Sequence, residues 1–284
     1  MRTITQIKRM QEASDKLRGE RKTIGFVPTM GYIHEGHLSL IDISNQNADI
    51  TVASLFVNPT QFGPGEDYKK YPRDIERDKR LLEKRGCSIL FEPDADTMYS
   101  KYFRTEVYVR NLCRLLCGET RKMHFKGVTT VVSKLFNIVK PDIAVFGQKD
   151  AQQAIIIKRM VEDLNYDLKI ILGAIVREKD GLAMSSRNIY LNKKERRDAV
   201  VIYRSLKEAE QMIENGERGV LKILRLMRKV ISEKKSARLD YIKAVDTNGL
   251  KPVSKIRGEV LIAVACYFGK TRLIDNIIVN PLNI

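Results

Sequence analysis

Cysteine and long apolar runs are scarce in this sequence, and their scarcity excludes several classes of protein. Four cysteines in 284 residues are too few and too unevenly spaced for a disulfide framework. The longest unbroken apolar run, 260–268, has nine residues, whereas a membrane-spanning helix needs roughly 20. The first eleven residues mix charged, polar and apolar side chains, and a secretory signal needs a continuous apolar core. The sequence therefore predicts a cytoplasmic protein that does not associate with membranes.

Metal-ligating side chains are equally sparse. Cys113 and Cys117 are near neighbours, and His124 is the one histidine within reach of them. A structural zinc site needs four such ligands, usually as two pairs. No second pair stands at ligand spacing nearby, so we predict no metal ion held by protein side chains alone.

Acidic residues are outnumbered, and the excess of basic residues raises the question of nucleic-acid binding. The chain has 51 Lys plus Arg against 35 Asp plus Glu, a formal net charge of +16, which favours polyanionic partners. From Arg187 onward there are 21 basic and 11 acidic residues. An RNA-binding module is one interpretation of that region. The interspersed acidic residues and the lack of aromatic clusters for base stacking favour a solvated basic surface instead, so we predict no nucleic-acid partner.

Short β-branched runs alternate with helical periodicity through the first two thirds of the chain. This alternation is typical of a parallel sheet covered by helices, and we predict a doubly wound, Rossmann-like α/β domain over residues 1–186. The predicted strands are Thr23–Val27, Ile50–Val57, Ser88–Phe91, Ile143–Phe146 and Leu168–Ile175, and the predicted helices are Asp74–Arg85, Val128–Val139 and Ala151–Leu164.

The pattern changes after Arg187, where a smaller domain is predicted over residues 187–284. Two long charged amphipathic segments, Lys193–Asn215 and Val220–Lys234, precede three strand candidates, near 239–245, 260–268 and 273–279. Helices followed by strands predict an α+β fold. We expect this second domain to act as a lid.

Two of the three histidines in the chain, His34 and His37, follow the first strand of the α/β pattern directly. Ligands of open α/β sheets bind at the carboxyl ends of strands, and a helix that begins there directs N–H groups at an anion. Residues three apart at a helix start share one face, and Gly31 and Gly36 permit close approach of the backbone. The pair is also compatible with ordinary surface histidines, but its position favours a phosphate site.

Three further segments carry groups suited to a nucleotide or a small acid; the first two end predicted strands, and the third lies just before the change of composition at Arg187. Asn58 and Gln61 are amides in the segment FVNPTQFG, which also reads as a polar turn. Lys149 and Asp150 lie in GQKDAQQ, where the lysine can neutralise phosphate and the aspartate can accept from a ribose hydroxyl or cap a helix. The segment AMSSRN, 183–188, offers two hydroxyls and a guanidinium.

Together these motifs resemble the pantothenate synthetase family, within the adenylyl-transferring superfamily that carries a HIGH-type motif. The sequence HEGH at 34–37 corresponds to that motif, and PTMGYIHEGH, FVNPTQFG, GQKDAQQ and MSSRN occur in the family's order and spacing. The segments YPRDIERD at 71–78 and HFKGVTTVV at 124–132 also fit the family pattern. The resemblance implies an ATP-dependent ligase that joins pantoate to β-alanine through a pantoyl adenylate, with Mg²⁺ on the ATP phosphates and a homodimeric assembly.

The resemblance also implies roles for individual residues. His37 is the implied proton donor, with His34 beside it at the phosphates, and Lys149 is a third catalytic candidate. The implied pantoate residues are Gln61 and Gln153, with Gln61 also bordering β-alanine, and Asn58 is a further substrate candidate because its amide can bond hydroxyls and carboxylates. The implied ATP-binding residues are Met30, Gly31, Tyr32, Ile33, His34, Glu35, Gly36, His37, Gly147, Gln148, Lys149, Asp150, Val176, Met184, Ser185, Ser186 and Arg187.

One segment departs from the family pattern. The family has Arg-Pro-Gly-His-Phe where this chain has Arg121-Lys122-Met123-His124-Phe125. Loss of Pro and Gly changes the stiffness of a loop, so the sequence assigns no role to Arg121 or His124. A nucleotidylyltransferase with a similar motif is the competing function, and it would stop at an adenylated product without using an amine.

Overall fold

The computed structural model describes residues 1–280, which form two compact units. The first unit contains residues 1–148 and 152–174, and the second contains residues 149–151 and 175 onward. The α/β and α+β classes predicted from the sequence are confirmed. The predicted domain boundary between residues 186 and 187 stays a prediction.

Within residues 1–280, the strands of the first unit form a six-stranded sheet whose neighbours all run parallel. The strands are β1 Arg2–Ile4, β2 Ile24–Thr29, β3 Ile50–Leu55, β4 Ile89–Phe91, β5 Ile143–Gly147 and β6 Lys169–Gly173. The helices are α1 Ile7–Gly19, α2 Glu35–Asn47, α3 Ile75–Lys84, α4 Ala95–Met98, α5 Cys117–Thr120, α6 His124–Val139 and α7 Ala151–Asp163.

The strand order is β1-β4-β3-β2-β5-β6, so the side on which the chain adds successive strands changes at the centre of the sheet. From β2 the chain adds β3 and β4 on one side, and then adds β5 and β6 on the other. Helices α2 and α3 pack together, while α1 and α6 pack against each other and against β2. In a doubly wound sheet, ligands bind beyond the carboxyl ends of the strands at this switch point. The switch point here lies between β2 and β5, and His34 and His37 follow β2.

The second unit has a three-stranded antiparallel sheet with helices packed on it, over the part of the chain that the structure describes. Its helices are α8 Lys193–Ala199, α9 Val201–Glu214 and α10 Val220–Ser232, and its strands are β7 Ala237–Asp246, β8 Val260–Phe268 and β9 Thr271–Val279. The apolar stripe of α10 is confirmed: Val220, Ile223, Met227, Val230 and Ile231 are buried in one core, and Leu224 packs against it.

Periodicity predicted most elements to within a few residues, with two kinds of error. The segment Lys193–Asn215 is two helices, because the chain is interrupted at Val200. The end of α8 is fixed there by the buried Asp198, which accepts a hydrogen bond of 2.7 Å from the Ser236 hydroxyl. Strand β1 and helices α1, α4 and α5 were not predicted, since β1 has three residues, α4 and α5 have four each, and α1 buries only Met10, Ala13 and Ser14.

Candidate active site

The segment after β2 turns sharply before helix α2. Gly31 and Tyr32 both have positive φ angles, 85° and 52°. Glycine adopts this conformation at little cost, whereas it is uncommon for tyrosine. A Cβ on Gly31 would also lie 3.2 Å from Oδ2 of Asp78. The turn leads the chain into α2, so that His34 stands directly before Glu35, the first helical residue.

Asp78 on α3 holds this turn by accepting hydrogen bonds from main-chain N–H groups of the turn. Its side chain is almost fully buried, and its carboxylate accepts from the N–H groups of Tyr32 at 2.6 Å and Ile33 at 2.8 Å. Burial raises the pKa of Asp78, although the two N–H donors and the Arg77 guanidinium, 3.2 Å from Oδ1, act in the opposite direction. Asp78 was not among the site residues predicted from the sequence. The available signal was a carboxylate on the same buried face of the helix as Leu82, four residues later.

The rings of His34 and His37 are stacked at the amino end of α2. Their centroids lie 4.0 Å apart with 25° between the planes, as the three-residue spacing predicts. The N–H of His34 donates to Nδ1 of His37 at 3.4 Å. An Nδ1 that accepts places the proton of a neutral ring on Nε2. His37 is therefore arranged to donate from Nε2 at a helix end that favours anions.

Asn58, Gln61 and Met30 form a linked group beside this turn. The Nε2 of Gln61 lies 2.8 Å from the sulfur of Met30, and Nδ2 of Asn58 donates to Oε1 of Gln61 at 3.2 Å. Asn58 is 1% exposed. Its Nδ2 also donates to the Gly127 carbonyl, and its Oδ1 accepts from the Tyr99 hydroxyl at 2.8 Å. This network fixes the Gln61 amide, which is the side chain predicted to bind pantoate and β-alanine.

Arg121 and His124, which the sequence left without a role, contact the same segment. The Arg121 guanidinium makes two hydrogen bonds to the Glu66 carboxylate, of 2.9 and 2.6 Å. Nδ1 of His124 lies 2.9 Å from the main-chain carbonyl of Gln61, and that geometry makes Nδ1 the donor. Helix α6 begins at His124. Both side chains therefore hold the backbone around Gln61, despite the missing Pro and Gly.

The carboxyl end of β5 places Gly147 and Gln148 at the same sheet edge as the turn after β2. Strands β2 and β5 are paired in parallel through Gly25 and Phe26. Gln153 is half-buried on the first turn of α7. Its neighbour Gln152 is buried and bonds to backbone groups of the loop 112–117.

Lys149 and Asp150 belong to the second unit. The Nζ atom of Lys149 lies 3.3 Å from Oδ2 of Asp150. The lysine is half-buried and the aspartate is exposed. One cation therefore follows the carboxyl end of β5 directly, next to a carboxylate of opposite charge.

The second unit also contains the segment Val176–Arg187, which folds back on itself. The N–H of Met184 donates to the Val176 carbonyl at 3.0 Å. The hydroxyl of Ser185 accepts from the N–H of Arg187 at 3.3 Å and caps a short helix that contains the buried Ser186. The structure therefore brings Val176 together with the serines that sequence reasoning assigned to the same ATP.

No group of three or more His, Cys, Asp or Glu side chains in residues 1–280 is arranged to hold a metal ion. No helix in the described part of the chain is long and apolar enough to cross a membrane.

Comparisons with known proteins agree with the motifs. The sequence model of the Pantoate-beta-alanine ligase family matches residues 2–278. The pantothenate synthetase of Caldicellulosiruptor bescii is 54% identical over 279 residues, 98% of this chain and 99% of that protein.

Solved structures agree as well. A pantothenate synthetase from Thermus thermophilus has a TM-score of 0.93 at 42% identity, covering 98% of this chain and 99% of its own. A pantoate-beta-alanine ligase from Francisella tularensis, complexed with Beta-gamma ATP and Beta-alanine, has a TM-score of 0.81 at 33% identity, with 99% of both chains covered. By family model, relatives and fold, this chain belongs to the pantoate–β-alanine ligase family.

Proposed function

We propose that the chain joins pantoate to β-alanine at the expense of ATP, through an enzyme-bound pantoyl adenylate. The stacked pair of His34 and His37 at the amino end of α2, beside the switch point of the sheet, carries this proposal. Such a site suits an anion whose charge increases during reaction. The Francisella tularensis relative, which is complexed with an ATP compound and β-alanine, supports the same substrates.

In the first step, a carboxylate oxygen of pantoate attacks the α-phosphorus of ATP. A P–O bond forms between the α-phosphorus and pantoate. The bond between the α-phosphorus and the oxygen that bridges it to the β-phosphate breaks, and pyrophosphate leaves with that electron pair. Negative charge grows on the transferred phosphate and on pyrophosphate. Donors that are already oriented stabilise this charge without reorganising. The assigned donors are His34, His37, Lys149, Ser185 and Ser186.

In the second step, the uncharged amine of β-alanine attacks the acyl carbon of the adenylate. The C–N bond forms and the C–O bond to AMP breaks, so that AMP leaves with that electron pair, and the proton lost by the amine passes to the AMP phosphate or to solvent water. No covalent enzyme nucleophile is needed, so the protein contributes mainly by holding the two reactants in attack geometry. Exclusion of water protects the adenylate from hydrolysis, and a closing second domain would provide that exclusion.

The residue assignments follow the motifs. Gln61 and Gln153 bind pantoate, Gln61 also borders β-alanine, and Asn58 supports them through its bond to the Gln61 amide. His37 donates a hydrogen bond from Nε2 to the phosphate on which charge develops. ATP contacts the segments Met30–His37, Gly147–Asp150 and Met184–Arg187 and the backbone of Val176.

Mg²⁺ fits this site as an ion coordinated by the ATP phosphates. Mg²⁺ in ATP sites is held largely by phosphate oxygens and water, with one or two carboxylates. No group of three or more His, Cys, Asp or Glu side chains among residues 1–280 is arranged to hold an ion, and we propose that Mg²⁺ enters on the phosphates of ATP. When bound, it neutralises phosphate charge. We also propose a cytoplasmic homodimer, for which the family resemblance is the support; light scattering of the purified protein tests the assembly.

Product analysis tests the function directly. Purified protein should release AMP and pyrophosphate only when ATP and pantoate are both present, and should form an amide only when β-alanine is added. Release of ADP and phosphate would exclude the adenylate mechanism. An adenylated product that never forms an amide would support the nucleotidylyltransferase instead.

A further inference from the structure

Strand β9 carries two adjacent polar residues in an otherwise apolar stretch. Asp275 and Asn276 are each 3% exposed, although Leu273 and Val279 on the same strand belong to the hydrophobic core. Successive side chains of a strand point to opposite faces of the sheet. Each of the two residues is therefore buried on a different face, where a polar group needs a hydrogen-bond partner.

Asn276 finds a partner in the main chain of Lys149. Its Nδ2 donates to the Lys149 carbonyl oxygen at 3.1 Å. On the neighbouring strand the opposite residue is Ala263, a small side chain. The amide thus fixes the peptide from which the Lys149 side chain extends.

Asp275 finds a partner in Arg177, at the start of the segment Val176–Arg187. The guanidinium of Arg177 donates from Nη1 at 2.6 Å and from Nη2 at 3.1 Å, a bidentate pair. Arg177 also donates to the Gly181 carbonyl at 3.1 Å, and its guanidinium carbon lies 4.3 Å from the centroid of the Tyr203 ring. The ion pair therefore fixes the position of Arg177 within the folded-back segment.

The other end of that segment rests on the same strand. Arg177 forms an antiparallel bridge with Ala183, and the short helix Ser186–Tyr190 packs against β9. Through its two faces, one strand holds both sets of nucleotide residues of the second unit: Lys149 on one side and the segment 176–187 on the other.

We infer that Asp275 and Asn276 are positioning residues for ATP, acting through Arg177 and through the Lys149 peptide; this inference rests on the proposed function. Neither residue needs to touch the nucleotide. A displacement of about 1 Å at a catalytic group costs on the order of 10²-fold in rate. The buried pair supplies the fixed support that such a group requires.

Asn276→Asp is the sharpest test, because it replaces the Nδ2 donor by an oxygen of the same size facing the Lys149 carbonyl. We expect the single-turnover rate of adenylate formation to fall by roughly 10-fold or more, with the loss mainly in kcat. Amide formation from supplied pantoyl adenylate should fall much less. If the variant does not fold, Asn276→Ala removes the donor without adding charge and is assessed in the same way.

Asp240→Asn is the matched control. Asp240 is on the same sheet, and its Oδ2 accepts from Nε and Nη2 of Arg272 at 2.9 and 2.8 Å. Each of these two side chains is 15% exposed. This substitution weakens an ion pair of the small sheet without contacting Lys149 or Arg177. It should lower the melting temperature by a similar amount and leave the rate of adenylate formation unchanged.

A double-mutant cycle separates positioning from general stability. In a Lys149→Ala background, Asn276→Asp should cost less than about threefold, since its effect passes through a side chain already removed. Equal costs in both backgrounds, an adenylation rate like wild type in the folded Asn276→Asp variant, or an equal loss in Asp240→Asn would each overturn the inference. Failure of the wild-type protein to make AMP from ATP and pantoate would instead overturn the proposed function.

Discussion

The turn at residues 31–33 and the peptide of Lys149 belong to two segments that we assign to ATP, yet they are held in place by different means. The turn is fixed within its own α/β unit, by a helix carboxylate that accepts two main-chain N–H groups. The Lys149 peptide is fixed by an amide on β9, 127 residues later in the sequence. A helix of its own α/β unit therefore holds the first segment, whereas a strand much later in the sequence holds the second.

The largest effect should come from the turn after β2. We expect His37→Ala to lower kcat by roughly 10²- to 10³-fold, the scale for losing one oriented donor at a charged transition state. His34→Ala should act similarly. Steady-state kinetics of amide formation measures the loss, and circular dichroism checks that both variants remain folded. Wild-type turnover in either variant would remove its assigned role, and unfolding would show that the ring is structural.

Lys149→Ala tests the other side of the comparison. Its charge faces phosphate that is largely gone once pyrophosphate leaves, so adenylate formation should fall by roughly 10²-fold and amide formation from supplied adenylate by much less. Quench-flow measurement of each half-reaction separates the two. Equal losses in both would mean that Lys149 holds the nucleotide throughout, and no loss in either would make it a surface residue.

Asp78→Asn should have a smaller effect, of about 10-fold on adenylate formation. The amide keeps one acceptor, so one of the two N–H groups of Tyr32 and Ile33 loses its partner in a buried place. Asp74→Ala is the control on the same helix, because it removes the cap that accepts from the Arg77 N–H and keeps the two hydrogen bonds that Asp78 accepts from Tyr32 and Ile33.

That control should cost about 1 kcal/mol of unfolding free energy and leave kcat unchanged. Urea denaturation together with single-turnover kinetics gives both quantities. Equal kinetic losses in Asp78→Asn and Asp74→Ala would mean that Asp78 only stabilises α3.

The smallest effect is expected from thiol reagents, which compare the two units directly. Burial raises the pKa of Cys87, in the first unit, to about 11 and that of Cys266, in the second, to about 12. The thiolate is the reactive form, so neither residue should react appreciably near neutral pH while its unit is folded. Mass spectrometry of labelled peptides at rising urea concentration shows whether the units open together. Rapid labelling of either cysteine in the native protein would contradict the buried positions.

Local sequence signals predicted most of the fold and the shared face of His34 and His37, but not the distant contacts that hold the neighbouring segments. Alternating strands and helices were visible because each carries its own apolar period, and His34 and His37 were found because they follow a recognisable strand. Asp78 was missed because its partners are main-chain groups 46 and 45 residues away. Asp275 and Asn276 were not predicted to have a role, since nothing local in the strand shows which loop it will meet.

The bond between Asn276 and the Lys149 carbonyl also has a consequence for the timing of biosynthesis. At roughly 5–20 residues per second, the ribosome needs about 6–25 s to add the residues that separate them. The six strands of the parallel sheet are all made before that interval ends. A nascent chain can therefore hold a complete sheet while the Lys149 peptide still lacks its partner, so ATP activation should reach its full rate only after Asn276 has been added.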